Sequence, residues 1–147
     1  MEYLFFRIGG YFDGQRVLNV RNQDSCLVLD YFQRLREDEG DSSPNRYAVW
    51  TKDVSKRWLI HFNELRVEDW EDYYYDNIMD GTQWELRLKY EGQSERCISG
   101  SNAYPKNWGE FKELIDTSVN RLPRVEDITI EEILDKFYRA EMGGRIP

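Results

Sequence analysis

The sequence predicts an α+β fold, with an antiparallel β-sheet of about four to six strands and helices packed on one face. Three observations predict this class. Strand-like segments fill most of the first 32 residues, a helical pattern separates them from a second strand pair, and helical patterns close the chain. Strands and helices grouped in this way, without regular alternation, are typical of an antiparallel sheet. At a length of 147, residues 1–147 are expected to form a single domain with its own core.

The first strands are predicted from apolar and aromatic runs bounded by glycine turns. Residues 3–8 have a strand pattern, and the glycines that follow indicate a hairpin or a bulged strand pair across residues 3–20. The nearly continuous apolar run at 26–32 favours a central strand that is covered on both sides. Residues 36–45 combine acidic side chains with serine, glycine and proline, so an exposed acidic loop is expected there.

Two helices are predicted outside the second strand pair. The first covers Asp53–Leu65, and either Asp53 or Ser55 is expected to cap its first turn. Its apolar side chains recur at helical spacing and define one buried face, formed by Trp58, Leu59, Phe62 and Leu65. The second is a C-terminal helix expected over residues 128–143, before a pair of glycines that ends it.

The segment at 78–118 is predicted to be a hairpin followed by a helix, and we call it the hairpin–helix module. Apolar and charged side chains alternate from residue 83 to 90, which is typical of a half-buried strand. Residues 95–99 are expected to pair back antiparallel, because the link is too short for a crossover. Asn107, with Glu110 three residues later, indicates a capping box at the start of a helix.

Several motifs of this module resemble a known family. They are the run DGTQW at 80–84, the alternating strand after it, and the run GSNAYP at 100–105 before a helix that starts with an aromatic residue. Trp70 and Tyr74 precede the module and fit the same pattern. Over residues 55–118 the chain resembles a small α+β module found in uncharacterised proteins of Gram-positive bacteria and their phages and mobile elements. Some small proteins of this kind inhibit bacterial defence, anti-CRISPR proteins among them, so the resemblance implies an inhibitor.

The charge balance favours a protein partner. The formal net charge is −8, and a chain of this charge is repelled by nucleic acids and by anionic membranes. We therefore expect a basic protein partner, with no direct binding of nucleic acid or membrane. Aromatic residues make up 15% of the chain, which leans toward a binding protein because exposed aromatic side chains anchor interfaces.

The two cysteines and the N-terminus indicate a cytoplasmic protein. Cys26 and Cys97 both lie in apolar, strand-like runs, so buried free thiols are expected. The sequence also allows the alternative of a disulfide between them. The N-terminus lacks the basic start and long apolar core of a signal peptide. No apolar run reaches the length of a transmembrane helix.

Two features with possible chemistry receive structural interpretations. His61 is the single histidine, and a general base usually needs an orienting partner, so a structural or surface role is expected. The bend at 99–102 could hold a phosphate on its backbone amides, but it lacks the glycine spacing and the lysine of a phosphate-binding loop. We interpret it as a turn in which Gly100 and Asn102 adopt backbone angles that other residues avoid.

The candidate functional site lies at residues 68–76, which we call the acidic–aromatic segment. Its members are Glu68, Asp69, Trp70, Glu71, Asp72, Tyr73, Tyr74, Tyr75 and Asp76. One interpretation is a solvated connector whose aromatic residues pack inward. A second is a magnesium or calcium site, because clustered carboxylates bind these ions. A third is a recognition surface, in which carboxylates imitate phosphates and tyrosines add rigid contact area.

The third interpretation gives the leading hypothesis for function. It is an acidic protein-binding domain, an inhibitor from a phage or mobile element that occupies the basic nucleic-acid-binding surface of a host defence protein. The carboxylates would carry the charge, with Trp70 and the three tyrosines as anchors, and no catalytic residue or cofactor is expected. One alternative is a small metal-dependent nuclease that uses the same carboxylates. Another is a housekeeping or immunity-type domain whose acidity serves only solubility.

Overall fold

The computed structural model describes residues 1–10, 14–34, 43–77 and 81–127. They form seven strands and two α-helices: β1 (Tyr3–Gly10), β2 (Gly14–Gln23), β3 (Cys26–Arg34), β4 (Arg46–Val49), α1 (Lys52–Glu64), β5 (Tyr73–Tyr75), β6 (Thr82–Lys89), β7 (Arg96–Ser101) and α2 (Trp108–Asn120). All seven strands belong to one sheet in the order β4-β3-β2-β1-β6-β7-β5. The predicted C-terminal helix at 128–143 and most of the predicted loop at 36–45 lie outside the described residues.

The α+β class and both predicted hairpins are confirmed. β1 pairs antiparallel with β2, from Tyr3↔Arg21 to Gly10↔Gly14. β6 pairs antiparallel with β7. Antiparallel pairing between β1 and β6 joins the two groups of strands in the middle of the sheet.

The sheet is roughly as predicted and differs from the prediction at its two edges. It has seven described strands, whereas about four to six were expected, and it is mixed because β5 runs parallel to β7. The missed strands are the two at the edges: β4 has four residues and β5 has three. Segments this short do not display an alternating pattern, so their pairing depends on contacts with distant strands.

The main core lies between one face of the sheet and the two described helices. Alternate residues of β1 and β6 point into it, and they meet aromatic and aliphatic side chains of α1 and α2. Its largest side chains that are almost completely buried are Phe6, Phe62, Trp84 and Phe111. No described helix is long and apolar enough to cross a membrane.

The two cysteines lie in different environments. Cys26 is a buried free thiol, as expected, and packs with Val28 and Val49 in a small second cluster behind β3. The prediction that Cys97 is buried is wrong, because it alternates with Ile98 in β7 and faces away from the core. Partial burial of its sulfur and a hydrogen bond to the Glu85 carboxylate raise the pKa of the Cys97 thiol.

The predicted cap of the first helix is also wrong. α1 begins at Lys52, and the Thr51 hydroxyl accepts a hydrogen bond from the Val54 amide at 3.4 Å. Ser55 instead lies fully buried under β3. Its hydroxyl accepts a hydrogen bond from the Leu27 amide at 2.8 Å and donates one to the Trp50 carbonyl at 3.4 Å.

Replacing Ser55 with alanine is expected to lower the free energy of unfolding by about 1–2 kcal/mol, because the buried Leu27 amide loses its acceptor. Urea denaturation followed by tryptophan fluorescence measures this change. The matched control is Lys56→Ala, an exposed position on the same helix, for which a change below about 0.5 kcal/mol is expected. Equal effects of the two substitutions would show that the Ser55 hydroxyl does not join α1 to the sheet.

Candidate functional site

The acidic–aromatic segment runs along one edge of the sheet. A short 3-10 turn at Val67–Asp69 is followed by extended chain and by β5, the last strand in the sheet order. Side chains alternate in extended chain, so neighbours point to opposite sides. Trp70 and Tyr74 point inward and are buried or half-buried, whereas Tyr73 and Tyr75 point outward and are exposed.

Trp70 attaches the segment to the core. It is only 7% exposed, and its ring packs edge-on against Trp84 and Phe111, with centroids 6.2 and 5.3 Å away. Its indole nitrogen donates a hydrogen bond to the Asn107 side-chain oxygen at 2.9 Å. The structure therefore places Trp70 beneath the surface that its acidic neighbours form.

Asn107 links three parts of the chain. Besides accepting from Trp70, its amide nitrogen donates to the Leu65 carbonyl at the end of α1, at 2.7 Å. It occupies the N-cap position of α2, but its side chain makes no capping hydrogen bond, so the predicted capping box with Glu110 is wrong. Asn107 instead fixes the start of α2 against the segment.

Arg96 of β7 holds the backbone of the segment. Its guanidinium donates hydrogen bonds to the carbonyls of Val67 and Glu68, both at 3.2 Å, and to that of Trp70. It also pairs with the Asp72 carboxylate at 3.1 Å. The planar, multi-donor guanidinium suits such a set of fixed acceptors.

Sequence reasoning missed Arg96. Its acceptors lie 24 to 29 residues earlier in the chain, and nothing in the local pattern separates it from the other basic residues of the module.

Three of the five carboxylates of the segment form ion pairs with arginines. Arg66 lies 3.0 Å from Glu68 and 3.3 Å from Asp69, and these exposed pairs contribute little to stability. Asp72 pairs with Arg96. In the part of the chain that the structure describes, no ion pair involves Glu71 or Asp76. Five carboxylates thus lie beside two guanidinium groups, which leaves a net charge of −3.

The outward tyrosines form an exposed aromatic pair. Tyr73 is 56% exposed and Tyr75 is 59% exposed. Their rings are stacked, with centroids 6.1 Å apart and an angle of 19° between the planes. The half-buried Tyr74 between them accepts a hydrogen bond from the Glu71 amide on its phenolic oxygen, at 2.9 Å. β5 therefore presents two rings in a defined arrangement close to Glu71 and Asp76.

The bend at 99–102 has a structural explanation. Asn102 adopts a φ of 58°, as expected, and its side chain accepts a hydrogen bond from the Thr82 amide at 2.7 Å. The expectation of an unusual angle at Gly100 is wrong, since its φ is not positive. Glycine is required there for space, because a Cβ atom would lie 2.1 Å from the indole nitrogen of Trp84.

His61 and the candidate metal-binding carboxylates form no catalytic or metal site among the described residues. His61 is exposed on α1 and borders a shallow cavity with Arg57 and Arg121. Among the described residues, no three histidine, cysteine, aspartate or glutamate side chains converge closely enough to hold a metal ion.

In comparisons with known proteins, the chain matches no family model and shows no significant similarity to a curated protein sequence.

Proposed function

We propose that this chain is an acidic protein-binding domain that binds the basic, nucleic-acid-binding surface of another protein. Within this proposal it acts in the bacterial cytoplasm, for a phage or mobile element, as an inhibitor of a host defence protein. The observation that supports it best is the edge at residues 71–76, where Glu71 and Asp76, which form no ion pair with another described residue, flank two exposed, stacked tyrosines.

The charges and rings of this edge suit a basic protein surface. Carboxylates at fixed positions can take the places of phosphates in a groove lined with lysine and arginine. Glu71 and Asp76 have no basic partner in the described chain, so their charge is available to a bound protein. Tyr73 and Tyr75 add contact area at a low cost in conformational entropy, and their rings can receive cationic side chains.

The direct test is binding to purified effector nucleases from RNA-guided defence systems of Gram-positive bacteria. We expect binding that competes with the nucleic acid and weakens between about 0.05 M and about 0.3 M salt, because salt screens exposed charges. The double variant Glu71→Gln/Asp76→Asn is expected to lose about tenfold in affinity, or about 1.4 kcal/mol.

A matched control separates the site from the overall charge. Asp24→Asn/Glu113→Gln removes the same amount of charge at exposed positions in the β2–β3 turn and on α2. We expect it to bind like the parent chain. Equal losses in the two double variants would show that net charge alone drives binding. Failure of a broad panel of such effectors to bind would overturn the proposed inhibitor function.

A further inference from the structure

The two edges of the sheet differ in how they are covered. At the β4 edge, the chain after α2 returns along the strand: the Tyr47 amide donates to the Pro123 carbonyl at 3.2 Å, and the Val125 amide to the Asn45 carbonyl at 3.0 Å. A bridge between Arg46 and Arg124 completes this contact. At the other edge, no described residue pairs with the outer side of β5.

The backbone of β5 presents hydrogen-bonding groups outward. The Asp72 carbonyl accepts from the Ser99 amide at 3.0 Å, and the Asp76 amide donates to the Ser101 carbonyl at 2.9 Å, so both face β7. Backbone groups of successive residues in a strand point to opposite sides, which directs the amides and carbonyls of Tyr73 and Tyr75 away from β7. An edge with outward donors and acceptors is a template for another strand.

We propose that β5 accepts an extended, arginine- or lysine-rich peptide segment of a partner protein as an additional strand. The inference deepens the proposed function and rests on it. The backbone of the segment pairs with the outward groups of Tyr73 and Tyr75, and alternate basic side chains lie against the two stacked rings. Glu71 and Asp76 lie at the two ends of this short edge, where they attract positive charge.

Charge also decides between a basic segment and a second copy of this chain. Pairing of two β5 edges would bring the Glu71 and Asp76 carboxylates of one copy near those of the other, and like charges across paired strands are destabilising. The strand is only three residues long, so few backbone hydrogen bonds would offset this repulsion. A basic segment supplies the opposite charge at the same positions.

The test uses a short acetylated peptide of alternating arginine and threonine as the probe. A second version carries N-methyl groups on alternate backbone nitrogens, which removes donors on one edge and keeps every charge. We expect the unmethylated peptide to bind the full chain at least about tenfold more tightly than the N-methylated peptide does, a difference in binding free energy of about 1.4 kcal/mol. Binding is expected to protect the Tyr73 and Tyr75 amides from hydrogen exchange.

Two variants at one position separate backbone from side chain. Tyr75→Pro removes an outward amide and leaves the β7-facing hydrogen bonds in place, since proline is tolerated on the solvent side of an edge strand. Tyr75→Thr removes the same ring and keeps the amide. We expect the proline variant to bind the unmethylated peptide at least about fivefold more weakly than the threonine variant does. If the proline variant does not fold, the N-methylated peptide still tests the backbone pairing.

The outcomes distinguish the inference from the proposed function. Equal binding of the two peptides would overturn strand addition, while charge-dependent binding of an effector nuclease would leave the proposed function standing. Loss of binding to both the peptides and the effectors would overturn both. A dimer of the parent chain in solution that Tyr75→Pro abolishes would show that a second copy, and not a basic segment, occupies this edge.

Discussion

Replacing Trp84 with alanine is expected to lower the free energy of unfolding by about 3–5 kcal/mol. Trp84 is 2% exposed and lies 4.6 Å from Trp108 between ring centroids, with Trp70 and Tyr74 on its other sides. Its indole nitrogen donates a hydrogen bond to the Ala103 carbonyl at 3.0 Å. The substitution removes this bond and opens a large cavity where the segment, the sheet and α2 meet.

Chemical denaturation measures this effect, and the chain offers a matched aromatic control. Tyr104 also packs on Trp108, at 4.9 Å between centroids, but it is 41% exposed. Tyr104→Ala is therefore expected to cost less than about 1 kcal/mol. If both substitutions had the same cost, burial in the aromatic cluster would not be what stabilises this end of the sheet.

Replacing Arg96 with alanine is expected to cost about 2–3 kcal/mol and to release the acidic–aromatic segment. The substitution removes the guanidinium donor from the carbonyls of Val67, Glu68 and Trp70 and leaves Asp72 without its ion pair. The Val67 carbonyl keeps one hydrogen bond, from the Trp70 amide at 3.0 Å. Hydrogen bonds to charged groups are worth about 1.5–3 kcal/mol each, but the Arg96 side chain is 32% exposed, so water replaces part of what is lost.

Hydrogen exchange shows whether the effect is local. In Arg96→Ala, faster exchange is expected at the Ser99 and Asp76 amides, which join β5 to β7, with little change in the β1–β2 hairpin. Arg66→Ala removes only exposed ion pairs, so a change below about 0.5 kcal/mol is expected. Uniformly faster exchange across the sheet would contradict an anchoring role confined to the segment.

Much of the fold could be predicted from local patterns. The alternation at 83–90 identifies β6, and the glycines at the end of β1 and the start of β2 mark the first hairpin. The short edge strands could not be predicted, because three or four residues carry no period and pair only through distant partners. Caps were assigned to the nearest polar side chains, yet Ser55 and Asn107 are committed to tertiary hydrogen bonds that no local rule reveals.

The candidate site, too, could be predicted only in part from the sequence. Residue types alone located the charge and the aromatic rings at 68–76, but they gave no means to tell inward from outward tyrosines. The register in which β5 pairs with β7 decides which alternate side chains of β5 face the core and which face away from it. Sequence also did not show that Arg66 and Arg96 form ion pairs with three of the carboxylates, which leaves Glu71 and Asp76 as the two carboxylates of the segment without an ion pair among the described residues.

The position of β1 has a consequence for synthesis of the chain. β1 precedes the other described strands in the chain, yet it lies in the middle of the sheet and pairs on one side with β6, from Tyr3↔Lys89 to Gly10↔Thr82. The β1–β2–β3 meander can form early, while the second side of β1 waits until about 80 further residues have been translated, on the order of 4–16 s at about 5–20 residues per second. During that interval an apolar nascent strand has an unpaired side, and folding is complete only when the second hairpin arrives to cover it.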